Sequence, residues 1–99
     1  MFFIQFLATP RKTARTAPNA AGAFVNCWID RTTIEEAIQV TRRCVETEGW
    51  IFDEPEIARQ VRAEDYADDE CGVRYYEQAI LDKEVFVYHR FPEVDGELT

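Results

Sequence analysis

An α+β domain, a two-layer sandwich with a mostly antiparallel sheet and two helices on one face, is the fold class this sequence predicts. Three observations carry that reading. Apolar residues recur with a period of two over 2–8, 23–30 and 85–91, the signature of strands. They recur every three and four residues over 34–45, which marks an amphipathic helix. The 99 residues suit one compact unit, burying roughly two-thirds of the surface that the unfolded chain exposes.

The first strand sets Phe2, Ile4 and Phe6 against Phe3, Gln5 and Leu7. Residues 9–22 follow, with two prolines, a glycine, many small residues and three positive charges (Arg11, Lys12, Arg15), a pattern that predicts a flexible basic loop. The second strand, 23–30, divides Val25, Cys27 and Ile29 from Phe24, Asn26 and Trp28. Thr32-Thr-Ile-Glu35 has capping-box spacing and starts the first helix. Ile34, Ala37, Ile38, Thr41, Cys44 and Val45 form its inward stripe, and Gly49 is its left-handed stop.

Trp50-Ile-Phe52 opens a third strand that Pro55 must break or confine to an edge, since proline donates no ladder hydrogen bond. Ile57 and Val61 either continue it or begin a second piece. An acidic connection over 64–70 leads to a second helix from about Val73 to Leu81, with Val73, Tyr76, Ala79 and Ile80 inward and Tyr75 and Tyr76 turned different ways. The last strand, 85–91, is closed by Pro92, and 93–99 reads as an acidic tail after a single domain over 1–92. The ferredoxin-like arrangement accommodates this order, the second helix returning the final strand to the sheet.

Composition narrows the function classes. A net charge of −8 argues against nucleic acid as a partner, because phosphates require clustered positive charge. No apolar run approaches the ~20 residues of a membrane-spanning helix. The first eight residues lack a basic leader, and Cys27, Cys44 and Cys71 form no CxxC pair, which favours reduced thiols and a cytoplasmic location. One histidine leaves little for zinc, and the acidic run lacks the spacing of a calcium loop, so neither metal nor cofactor is expected.

The unusual feature is one side of the sheet. Phe2, Ile4, Phe6, Val25, Cys27, Ile29, Val85 and Val87 make an apolar set that should meet the helices. The opposite set holds Phe3, Gln5 and Leu7, then Phe24, Asn26 and Trp28, then Phe86, Tyr88 and Arg90, where a solvated face normally carries Thr, Lys, Glu and Ser. Large apolar side chains in such number call for a cover: a second subunit, the 9–22 loop, or a ligand. Alternation sends His89 toward the helices, as a core or rim group rather than a catalyst, unless a bulge moves it beside Tyr88 and Arg90.

Residues 23–29, 65–69, 75–82 and 84–92 together resemble a group of short bacterial proteins of unknown function. The resemblance implies a bacterial cytoplasmic domain and brings no activity, cofactor or catalytic residue.

The leading expectation is a non-enzymatic domain that forms a homodimer through the aromatic face, with Phe24, Trp28, Phe86 and Tyr88 as central contacts. A second is a small-molecule binder or cofactor-independent enzyme of the dimeric ferredoxin-like kind, using Asn26, Trp28, His89 and Arg90, with Gln5 also on the face. A third is an acidic inhibitor or immunity-type protein that presents negative charge to a basic target.

Overall fold

The structure is a computed structural model that describes residues 1–11 and 22–91. Strands β1 (Phe2–Pro10) and β2 (Gly22–Ile29) pair antiparallel, Phe2 opposite Ile29 through to Ala8 opposite Ala23. Helix α1 (Ile34–Thr47) leads to β3 (Trp50–Phe52) and β4 (Ile57–Gln60), both antiparallel to β1 on its other side. They meet opposite ends of that strand: Phe52 faces Ala8, and Gln60 faces Phe2. Pro55 falls in the break between them, as its missing N–H demands. A 3₁₀ turn (Ala63–Tyr66) and helix α2 (Glu70–Asp82) precede β5 (Glu84–Phe91), which pairs antiparallel with β2. The sheet order is β3-β1-β2-β5, with β4 beside β1.

The chain is thus α+β, with a five-stranded antiparallel sheet and two helices. The placing of both helices on one face is corrected. Ala37 and Val45 of α1 pack on Phe2, Ile4, Phe6, Val25, Cys27 and Ile29. Ala79, Val73, Tyr75 and Tyr76 of α2 pack on Trp28, Phe3, Val85 and Val87. Neighbouring residues Cys27 and Trp28 point to opposite faces, so the helices lie on opposite sides of the sheet. Each helix makes its own two-layer pair with the sheet. The opening β1–β2 hairpin and this placement differ from the ferredoxin-like arrangement.

Helix α1 starts one residue later than the sequence suggests. Thr33 is the N-cap; its hydroxyl accepts from the Glu36 N–H at 3.2 Å and donates to the Glu36 carboxylate at 3.2 Å. Gly49 ends it at φ 90°, where a side chain would be strained. Thr41 is buried and donates to the Ala37 carbonyl at 2.8 Å, so this polar group carries no desolvation debt. Helix α2 begins three residues earlier than expected, because Asp69 accepts from the Gly72 N–H at 2.9 Å and caps it. Its Ile80 is half exposed rather than inward, while Tyr75 and Tyr76 are both half-buried.

The expected basic loop overlaps β1 at Thr9 and Pro10 and β2 at Gly22; its 12–21 portion, and the acidic tail at 93–99, lie outside the described residues. No described helix is long and apolar enough to cross a membrane.

Candidate functional site

The nominated residues divide between the two faces. Opposed residues of an antiparallel pair share a face, and β5 pairs Phe86 with Cys27, Tyr88 with Val25 and Arg90 with Ala23. Those three therefore stand on the α1 side, whereas Gln5, Phe24, Asn26 and Trp28 stand on the α2 side. The grouping of all seven on one face is corrected, and so is the assignment of Val85 and Val87 to the α1 side. His89 lies opposite Phe24, exposed and on the α2-side face, without any bulge in the register.

On the α2 side, Trp28 is only 5% exposed. Its indole N–H donates to the Tyr66 hydroxyl at 2.8 Å, and its ring lies 4.9 Å from Tyr75 and 5.1 Å from Phe3. Such a buried indole needs an acceptor, and the 3₁₀ turn exists to deliver one. Burial pushes the Tyr66 hydroxyl up, a rise that the Trp28 hydrogen bond and the nearby Arg59 partly offset. Trp28 thus packs inside the molecule. Beside it, Gln5 donates to Asn26 at 2.8 Å across the β1–β2 pair. Phe3, Asn26, Trp28, Arg59, Tyr66 and Tyr75 line much of a cleft of about 280 Å³ between the sheet and α2.

Farther along the same face, beyond α2, Leu7, Phe24, Ile51 and Ile57 are each 39–46% exposed. Leu7 opposes Phe24, Ile51 opposes Thr9 and Ile57 opposes Gln5, so the four cluster around Leu7. The expected cover by the 9–22 loop falls largely on residues outside those described.

On the α1 side, Ala8 and Ala23 sit opposite each other and leave room for the Trp50 ring, which stacks on Tyr88 at 5.7 Å. The Arg90 guanidinium lies 5.8 Å from the centre of Trp50. Burial pushes the Tyr88 hydroxyl well above its ordinary 10.0, with the Cys27 thiol adding to the rise. At the start of β5, Glu84 accepts from Arg31 at 2.9 Å and from the Cys44 thiol at 3.4 Å. Desolvation and that bond to Glu84 raise the Cys44 pKa. All three cysteines are free thiols.

The decisive geometry lies on β5. It has a partner only in β2 among the described residues, so its outer side is a sheet edge. The Asp30 N–H donates to the Lys83 carbonyl at 2.8 Å in the same register, which fixes the phase of the ladder. Hydrogen-bonded and non-hydrogen-bonded pairs alternate. Val85, Val87 and His89 consequently bond to β2, and Glu84, Phe86, Tyr88 and Arg90 turn their N–H and C=O groups outward. An edge was not anticipated from the sequence, because alternation reports faces and says nothing of lateral order. Tyr66 was missed as well: it stands among carboxylates and reads as part of a solvated connection.

No protein-family model matches the chain, and no curated protein or solved structure matches it.

Proposed function

We propose that the chain is a non-enzymatic α+β domain that pairs with a second copy of itself, and that the contact is the outer edge of β5 rather than the aromatic sheet face. One observation carries this: β5 is an eight-residue edge strand, Glu-Val-Phe-Val-Tyr-His-Arg-Phe, paired without interruption to β2 on its inner side. Exposed edges recruit further strands unless charged side chains (lysine above all), proline, a bulge or a covering segment blunt them. Residues 84–91 contain no proline and no lysine, their two charges, Glu84 and Arg90, are of opposite sign, and the register contains no bulge. Helix α1 packs mainly on β1, β2, β3 and β4 and reaches β5 at the Cys44–Glu84 hydrogen bond, which leaves Phe86 and Tyr88 half-buried at the margin of that face. Phe86, Tyr88 and Arg90 thereby keep an interface role, by a route different from the one their alternation suggested.

Sedimentation velocity on the full chain tests this. A species of about twice 11.5 kDa should grow in from low to high micromolar concentration. A mass that stays at 11.5 kDa throughout contradicts the proposal.

A second reading, a small-molecule site, is favoured by the cleft beside Trp28, which sets Arg59 and Asn26 among aromatic walls. At about 280 Å³ it lies just below the usual ~300–1,000 Å³ of ligand pockets. Benzoate, a planar anion of fitting size, is a suitable probe. A saturable shift of the Trp28 indole N–H resonance that is lost in Arg59→Ala supports this reading, and no shift at millimolar benzoate removes it.

A further inference from the structure

Resting on the homodimer reading above, we infer that the two β5 strands meet antiparallel about a two-fold axis at Val87, so that Glu84 of each copy lies opposite Arg90 of the other. The geometry admits few registers. A two-fold axis perpendicular to the sheet keeps every side chain on its own face, and opposed residues must share a face. The axis therefore passes through a residue and never between two. Centred on Phe86, it sets Glu84 against Tyr88 and carries Arg90 past the partner strand onto the end of α2. Centred on Tyr88, it sets Arg90 against Phe86 and leaves Glu84 opposite no residue of the partner's β5.

Centred on Val87, it pairs every residue from Glu84 to Arg90. Glu84 meets Arg90 twice, Phe86 meets Tyr88 on the α1 side, and Val85 meets His89 on the other. The main chain agrees with this register. Glu84, Phe86, Tyr88 and Arg90 are the residues whose N–H and C=O groups point outward, and in this register each faces another of the same set. The charges are also disposed for it. Arg90 makes no ion pair among the described residues and lies beside the Trp50 ring near the edge. Glu84 is held in place by Arg31 and Cys44, and a carboxylate has acceptor capacity beyond those two bonds. Opposite charges facing across a strand pair stabilise it, and like charges destabilise it.

Charge reversal reads out the register directly. Glu84→Arg places two arginines opposite each other at both ends of the pair, and Arg90→Glu places two glutamates there. Each variant should self-associate at least about tenfold more weakly than wild type. An equimolar mixture of the two should recover wild-type affinity as a heterodimer, because every contact becomes Arg against Glu. Arg90→Glu leaves the Arg31–Glu84 ion pair intact, so it remains informative even if Glu84→Arg unsettles the fold. If wild type dimerises and both variants match its affinity, or the mixture pairs no better than either variant alone, the register is wrong while the homodimer reading stands. If wild type remains monomeric, the reading fails and the register fails with it.

Discussion

At the residue scale, Trp28 and Gly72 hold α2 to the sheet. Removing the indole leaves the Tyr66 hydroxyl without its donor and opens a cavity among Phe3, Tyr66 and Tyr75. Trp28→Ala should therefore cost about 3–5 kcal/mol in urea unfolding, and Trp28→Phe about 1–3 kcal/mol. Values under about 0.5 kcal/mol for both would show that α2 does not depend on this contact. Gly72 is the small residue that the packing needs: a Cβ there would run into the Tyr66 ring and lie 2.8 Å from Asp69 Oδ2, the capping carboxylate. Gly72→Ala should destabilise by about 1–3 kcal/mol, by displacing either the ring or the cap. Cys27 supplies a pH signature. Burial, with a smaller contribution from Cys44, pushes its thiol far above the ordinary 9.0. The folded chain then keeps a proton that the unfolded chain releases above about pH 9. The stabilisation is complete below that pH and declines as pH rises further, by about 1.4 kcal/mol per pH unit for one such group. Between pH 9 and 10, Cys27→Ala should flatten the decline of stability with pH, and an unchanged slope would place the proton elsewhere.

At the scale of elements, the turn between α2 and β5 is tight because Lys83 adopts the left-handed conformation at φ 75°, the one non-glycine residue to do so among those described. Lys83→Gly should raise stability by about 0.5–1 kcal/mol, as glycine enters that region without a Cβ clash. A loss of stability would mean that the lysine stem contributes packing greater than its backbone strain. The same scale shows what was legible in the sequence. Period-two alternation located β1 and β2, the threonine–glutamate spacing located α1 to within a residue, and Pro55 marked the break before β4. The phase of β5 was not legible. Val85 and Val87 make one apolar set and Phe86 and Tyr88 the other, and alternation assigns faces only when one set is polar. Strands apolar on both sides are those covered on both sides. Phe3 and Trp28 opposite Ile4 and Cys27 already implied a layer on each face, and α2 is the second layer. The cleft was legible in Asn26 and Trp28, but Arg59, Tyr66 and Tyr75 reach it only through the path of the chain after β4.

At the scale of the whole molecule, the described residues leave several surfaces open: the Leu7, Phe24, Ile51 and Ile57 cluster, Ile80 and Leu81 on α2, the edge formed by β3 and β4, and the β5 edge. Among these, only the β5 edge combines unpaired main-chain groups with a self-complementary charge pattern, so association is predicted there. Amide hydrogen exchange resolved by residue is the most direct measurement. The Val85, Val87 and His89 amides, bonded to β2, should be protected at every concentration. The Phe86 and Tyr88 amides should exchange freely in dilute solution and gain protection as concentration rises into the high micromolar range. If the Phe86 and Tyr88 amides exchange at one fast rate across that range, the edge stays bare and the pairing of β5 with a second copy is contradicted.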